Sequence, residues 1–424
     1  MYLAPRGTID ILPEDQPYWW HLREQIHRVV ALFDYRQIDV PIFEDTGLYV
    51  RGVGEGTDIV DKEMYSFADK GGRDITLRPE FTVGVVRAYL QHGMRMLPQP
   101  VKLFSIGPIF RYERAQAGRY RQHTQFNIEC IGELDPAVDA EVMCVAWQLY
   151  SVLGFRDLSF ELNSTGCPNC KPGYLEALVN YYRLHVGDIC DDCRRRLVRN
   201  PLRLLDCKAA ECQPIVSAAP HSREFLCPEC REHFQLLRGY LDALERPHSL
   251  NHRLVRGLDY YTKTVFEVWA QGIGAQNAVC GGGRYDGLAQ QLGGGYTPGI
   301  GFATGMERLI LTMKHQGIDV PGLPSPQVAV VYMGQAAKVR ALQLLSELRQ
   351  DGVRAVMDYA DRSVKAQFRA ANRAGVAYAL VLGEDELASQ RIVLQDMARS
   401  GPRERVSLEG IVAVLRRRLD GGKR

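Results

Sequence analysis

The chain has 424 residues, 46% of them hydrophobic and 24% charged, with a formal net charge of +2. That length exceeds one ordinary hydrophobic core, so two or three domains are expected. No apolar run approaches the ~18 residues that span a bilayer. The first residues carry no signal-peptide core, and a nucleic-acid partner would have to be met by local patches.

A soluble cytosolic protein is therefore expected. Its eleven cysteines then point to thiols or metal ligands rather than disulfides. There is no P-loop, no HExxH and no nucleophile elbow, and Gly299, Gly301 and Gly305 miss the dinucleotide spacing.

Trp19, Leu22, Ile26, Val29 and Phe33 recur at helical spacing after Pro13. Residues 36–43 read as a strand closed by Pro41, and 51–57, with Gly52, Gly54 and Gly56, as a flexible loop. Residues 61–67 and 74–78 suggest a hairpin around Gly71 and Gly72. Thr82 is the expected N-cap of a helix over 83–91, which leaves Glu80 at a strand-to-helix junction.

Residues 102–132 carry the strongest local signal. On the second arm His123, Gln125, Asn127 and Glu129 alternate with Thr124, Phe126, Ile128 and Cys130, the period of a half-buried strand. On the first arm Ser105, Gly107, Ile109, Arg111 and Glu113 share a face. A turn with Arg114, Arg119, Arg121 and Gly118 joins the arms. A sheet face holding Arg111, Glu113, Gln125 and Glu129 is costly unless it meets a polar ligand.

A capped scaffold helix follows Asp135 and Pro136, then a short strand at 160–163. Residues 165–250 read as a helical insertion holding eight cysteines: Cys167 and Cys170, Cys190 and Cys193, Cys207 and Cys212, Cys227 and Cys230. Nineteen residues separate the first two pairs, which suits one four-thiolate zinc site, and the other four could form a second. Reduced buried thiols are the alternative.

Residues 265–269 read as a strand, 280–287 as a glycine-rich loop open to a ligand, and 298–309 as strand then helix. Pro321 to Pro326 is a linker. Beyond it, strands at 328–332, 355–357 and 378–382 alternate with helices, as in a small parallel α/β domain. Its second helix carries a row of Lys365, Arg369 and Arg373, which is either a solvated face or a phosphate-backbone contact.

Together these segments resemble the class II aminoacyl-tRNA synthetases, and among them the histidyl-tRNA synthetase family. Phe110-Arg111-Tyr112-Glu113 with its basic loop resembles motif 2, 301–309 with Arg308 resembles motif 3, and the segments around Pro41 resemble motif 1. Residues 256–262 (Arg-Gly-Leu-Asp-Tyr-Tyr-Thr) and 281–286 (Gly-Gly-Gly-Arg-Tyr-Asp) are similar to the two signatures peculiar to that family.

The resemblance implies an α+β catalytic domain on a mainly antiparallel sheet (1–325), interrupted by the 165–250 insertion, and a C-terminal α/β anticodon-binding domain (326–424). It implies ligation of histidine to tRNA(His) through an adenylate, with ATP and Mg²⁺, in a cytoplasmic homodimer. Arg111, Arg256 and Arg308 would be catalytic, with Arg119 and Arg308 on the β- and γ-phosphates and Glu113 on the adenine.

Histidine would meet Glu80, Phe81, Thr82, Arg111, Gln125, Glu129, Arg256, Tyr260, Tyr261 and Tyr285. Glu129 with Tyr261, helped by Tyr285, would read the imidazole, and Glu80, Thr82 and Gln125 the amino group. Gln116 and Arg121 would face the tRNA acceptor end, and Lys365 and Arg369 the anticodon. Phe81 departs from the small residue common there. The cysteines are not general to the family, so zinc does not follow from the resemblance. The rival reading is the non-catalytic, histidine-binding regulatory paralogue of ATP phosphoribosyltransferase.

Overall fold

The computed structural model describes residues 2–113, 118–270, 278–397 and 403–421. Contacts divide the chain into two compact units, Met1–Pro321 and Gly322–Arg424.

The strands of the first unit are β1 (Arg36–Gln37), β2 (Phe43–Asp45), β3 (Tyr65–Ala68), β4 (Asp74–Leu77), β5 (Val101–Phe110), β6 (Gln122–Ile131), β7 (Ser159–Ser164), β8 (His248–Leu250), β9 (Thr262–Trp269), β10 (Ala278–Arg284) and β11 (Gly299–Gly305). Eight of them form one sheet in the order β1-β5-β6-β11-β10-β9-β7-β8, antiparallel except at its two edges.

Sequence alternation decides what each face of this sheet carries. Phe104, Phe126, Ile128, Cys130, Phe266 and Phe302 turn into a core closed by the helices Gln16–Leu32, Pro136–Val152 and Met306–His315. The opposite face meets the Thr82–Gln91 helix, where Val101, Leu103 and Ile109 pack with Tyr260, Tyr261 and Tyr285. The polar set on β6 lies on this second face.

Four local expectations change. The 36–43 strand is two pieces: β1 joins the large sheet and β2 a three-stranded sheet in the order β2-β4-β3. Pro41, which has no N–H to donate, lies between them. Residues 51–53 end a helix, Thr46–Val53, capped by the Asp45 side chain accepting from Gly47 N at 2.8 Å. There Gly52 is a packing glycine, because a Cβ would meet the Val83 side chain.

Thr82 does not cap its helix. The Glu80 carboxylate does, accepting from Thr82 N at 2.7 Å and Val83 N at 2.8 Å. Finally, the glycine-rich 280–287 run is mostly β10, inside the sheet. Gly281 and Gly283 face the site side, where Cβ atoms would meet the Arg256 guanidinium and the Tyr261 ring. Close approach by neighbours, not loop flexibility, accounts for these glycines.

The second unit adds β12 (Val328–Tyr332), β13 (Ala355–Met357), β14 (Tyr378–Leu382), β15 (Arg391–Asp396) and β16 (Glu404–Ser407) in the order β13-β12-β14-β15-β16. The first three are parallel. The antiparallel β15 and β16 are additions to the sequence reading.

Candidate active site

The trough on the second face is built from glycines. Gly301 pairs with Glu129 and Gly107 with Gln125 in the strand registers, and Cβ atoms at Gly299 and Gly301 would run into the Tyr285 ring and the Glu129 carboxylate. With those positions bare, polar side chains lie flat along the sheet.

At one end Glu129, 1% exposed, accepts from Asn127 Nδ2 at 2.8 Å and from the Tyr285 hydroxyl. Burial pushes its carboxyl up to about 7. Tyr285 is therefore the phenol bonded to it. Tyr260 donates to the buried Glu80 at 3.4 Å, and its ring centroid lies 4.7 Å from that of Tyr261. Burial raises the Glu80 carboxyl as well. The Gln125 carbonyl oxygen is buried without a partner among the described residues, an acceptor suited to a donor on a ligand. Phe81 sits in the apolar cluster with the Arg78 guanidinium over its ring.

The cations come from three elements. Arg111 leaves β5, its Nε donating to Pro79 O at 2.7 Å. Arg308, in the first turn of the Met306–His315 helix, donates to Ala278 O at 3.0 Å. Arg256 lies over Gly281, its Nη1 2.7 Å from Glu267 Oε1, while its Nε has no partner among the described residues.

Their fields overlap. Burial first, then the charge of Arg111 and, more weakly, that of Arg308 push His123 down to about 4, so that imidazole is neutral at pH 7. Burial and the neighbouring Arg119 both disfavour the Arg308 charge. Clustered guanidiniums with few carboxylates call for an anion. Glu113 answers one of them, Arg119, at 3.5 Å. Glu267, Asn127 and His123 were not singled out as site residues. The period of β9 points Glu267 to this face, and the same alternation put the other two on the polar side of β6.

Two charged groups belong elsewhere. Arg284 and Asp286, in the second signature, are fully buried partners: Arg284 also pairs with Asp139, which accepts from His233 Nε2 at 2.9 Å. Arg121 stacks on Tyr112, guanidinium carbon 3.7 Å from the ring centroid. Gln116 lies outside the described residues.

In the second unit Lys365 and Arg369 are exposed on the Val364–Arg373 helix and, with Arg373, make no ion pair among the described residues, whereas Arg362 pairs with Asp358.

The cysteines pair differently from their order. Cys167 and Cys170 join Cys227 and Cys230, while Cys190 and Cys193 join Cys207 and Cys212. The insertion folds back on itself, bringing its two ends together and enclosing the middle four.

A mainly antiparallel sheet with an Arg-Tyr-Glu arm, a helix-borne arginine beside it and no P-loop is the catalytic architecture of the class II aminoacyl-tRNA synthetases. The family model described as histidyl-tRNA synthetase matches residues 7–168 and 218–309, and one described as anticodon binding domain matches 327–418. The chain belongs to the histidyl-tRNA synthetase family.

It is 52% identical over 419 residues to a protein of Dehalococcoides mccartyi (strain ATCC BAA-2266 / KCTC 15142 / 195) named histidine--tRNA ligase, covering 99% of this chain and 100% of that one. The crystal structure of apo S. aureus histidyl-tRNA synthetase is 37% identical with a TM-score of 0.82, covering 98% and 100%. An ATP phosphoribosyltransferase regulatory subunit/histidyl-tRNA synthetase from Bacillus halodurans C, 21% identical over 90% of this chain and 98% of its own with a TM-score of 0.61, shares the fold. No helix among the described residues is long and apolar enough to cross a membrane.

Proposed function

We propose that this chain activates L-histidine with ATP and transfers the histidyl group to the 3′ end of tRNA(His). The observation that carries the reading is the adjacency of two groups of residues. The buried carboxylate–phenol pair Glu129–Tyr285, suited to an imidazole, adjoins the cluster Arg111, Arg256 and Arg308, suited to phosphates.

Histidine lies in the trough with its imidazole on Glu129, and with Tyr260 and Tyr261 closing the pocket. Its ammonium meets Glu80, Thr82 and the unpartnered Gln125 oxygen. ATP enters as its magnesium complex, with Glu113 on the adenine amino group and Arg119 and Arg308 on the β- and γ-phosphates.

A histidine carboxylate oxygen attacks the α-phosphorus, the bond to the bridging oxygen breaks, and diphosphate leaves. Arg111 and Arg256 hold the α-phosphate from opposite sides, so positive charge is fixed where negative charge develops. The terminal ribose hydroxyl of tRNA then attacks the carbonyl, a phosphate oxygen of the adenylate takes its proton, and AMP leaves.

Arg121 and the loop containing Gln116 meet the acceptor end. Lys365 and Arg369, exposed cations without acidic partners among the described residues, meet the anticodon arm. The chain works in the cytoplasm as a homodimer, for which exposed Ile42, Phe43 and Phe67 offer apolar surface. The insertion carries structural zinc on its two cysteine quartets.

Histidine-dependent exchange of diphosphate into ATP tests the reading. Exchange with the purified chain is expected, and its absence would return the protein to the regulatory class. The presence of Arg256 and the match to an anticodon-binding domain argue against that class.

A further inference from the structure

We infer that the insertion is a two-zinc module in which the outer ion, on Cys190, Cys193, Cys207 and Cys212, holds a lobe that braces the 256–262 segment beside the histidine pocket. This rests on the zinc reading above and adds the ligand partition and the purpose of one site.

The geometry of both quartets suits a single ion. Four thiolates about 2.3 Å from zinc form a tetrahedron with edges of about 3.8 Å. Cys167 and Cys170 sulfurs lie 3.8 Å apart and Cys167 and Cys227 3.9 Å, while Cys190 and Cys207 lie 3.8 Å apart and Cys193 and Cys212 3.9 Å. All four ligand atoms of each quartet fall within 4.8 Å of one another. Backbone N–H groups point at the sulfurs, from Cys167 to Cys170 at 3.3 Å and from Cys190 to Cys212 at 3.2 Å. Four thiolates leave no open position, so the role is structural.

The two sites sit differently in the chain. The inner quartet closes the root of the insertion against the sheet, where Lys171 donates to Tyr261 O at 3.4 Å and Lys263 pairs with Glu229 at 2.7 Å. The outer quartet lies wholly within the stretch that the family model passes over, between residues 168 and 218. The outer lobe has a core of its own around these sulfurs, with Tyr174, Leu178, Tyr182, Leu204, Ile215 and Val216 buried beside Cys193, Cys207 and Cys212. A metal bound at the centre of that core adds folding free energy to the apolar burial of so small a lobe.

What that lobe presents to the catalytic unit is specific. Asn200 donates to Asp259 Oδ1 at 3.1 Å, one residue before Tyr260. Arg203 pairs with Asp58 at 3.0 Å, and its guanidinium lies against Gly257, one residue after Arg256, at 3.5 Å from where a Cβ would stand. Asp259 N in turn donates to Val53 O at 3.1 Å. The outer lobe therefore touches the histidine-signature segment at two points without touching a reacting atom, and Asn200 and Arg203 are positioning residues.

The test uses the full chain. Metal analysis is expected to return two zinc ions per chain, and Cys190→Ser/Cys193→Ser to retain one. Arg203→Ala, which keeps both ions, and the double cysteine variant are each expected to raise the histidine KM in diphosphate exchange about tenfold while the ATP KM stays within about twofold. Zinc absent, or iron in its place, overturns the zinc reading and this inference with it. Two zinc ions with an unchanged histidine KM in Arg203→Ala and Asn200→Ala overturns the brace alone. Should the cysteine variant fail to fold, Arg203→Ala decides the matter.

Discussion

Arg256 and Arg284 stand 28 positions apart, each in a segment resembling a family signature, and they have opposite surroundings. All three guanidinium nitrogens of Arg284 are engaged, by Asp139, Asp286 Oδ1 at 3.0 Å and Glu133 O at 2.6 Å, with no exposure to solvent. Arg256 has one carboxylate, Glu267, and an Nε without a partner among the described residues. A cation whose partners are complete is part of the frame, and one whose partners are incomplete is waiting for an anion. Residue type and motif membership do not separate the two cases. The count of partners does.

The sharpest way to break this contrast is to remove each arginine. Arg284→Ala leaves Asp139 and Asp286 as buried charges without their cation, a loss of roughly 3–5 kcal/mol, so a large drop in the denaturant midpoint is expected. Arg256→Ala is expected to leave the midpoint nearly unchanged and to slow diphosphate exchange by about 10²–10³-fold, the scale of losing one fixed donor at a developing charge. Equal loss of stability in both variants would dissolve the distinction.

Glu129 sharpens it from the anionic side. Its carboxyl is pushed up to about 7 by burial, so the charged form is disfavoured until a ligand arrives. Loss of a charged hydrogen bond is worth about 1.5–3 kcal/mol, so Glu129→Gln is expected to raise the histidine KM about tenfold or more and spare ATP. Below pH 7 the wild-type carboxyl is protonated and its contribution to histidine binding fades, a pH dependence the glutamine variant lacks.

The stability sign is opposite. A raised folded-state value favours folding while the group is protonated, and that contribution is lost as pH rises from 4.5 through about 7. The advantage of Glu129→Gln over the parent in unfolding free energy, followed by denaturant titration, should therefore grow between pH 5 and pH 8, toward a limit on the order of 3 kcal/mol. A pH-independent gap would remove Glu129 as the group responsible.

Much of this was legible in the chain and some was not, for identifiable reasons. The β5–β6 hairpin declared itself because alternation has one period and both arms obeyed it, leaving Arg111, Gln125 and Glu129 on the right face. The β10 glycines read as a loop because glycine signals turns by composition, whereas Gly281 exists to let Arg256 lie across the sheet, a contact between segments 25 residues apart. The cap at Glu80 was missed because Thr82 satisfies the usual rule and only the burial of Glu80 overrides it. Cysteine spacing suggested pairing neighbours in order, but the chain joins Cys170 to Cys227 across 57 positions and encloses the second quartet within the first. Sequence proximity carries no information about that nesting.

The exposed row Lys365 and Arg369 gives the smallest expected effect and a third kind of cation, neither satisfied like Arg284 nor enclosed like Arg256. The helix that carries it is anchored from its buried side, where Gln367 bonds the Tyr332 backbone in both directions at 3.0 and 2.8 Å. Removing the two charges therefore should not disturb the unit. Exposed charges meeting a phosphate backbone act as a screened, additive attraction. Lys365→Ala/Arg369→Ala is expected to raise the tRNA KM several-fold, more at low salt than at high, while diphosphate exchange stays at the parental rate. A charging rate unchanged at every ionic strength would make the row a solvated face. Loss of exchange as well would mean that these cations reach the catalytic step, contrary to the division between framing, waiting and steering charges.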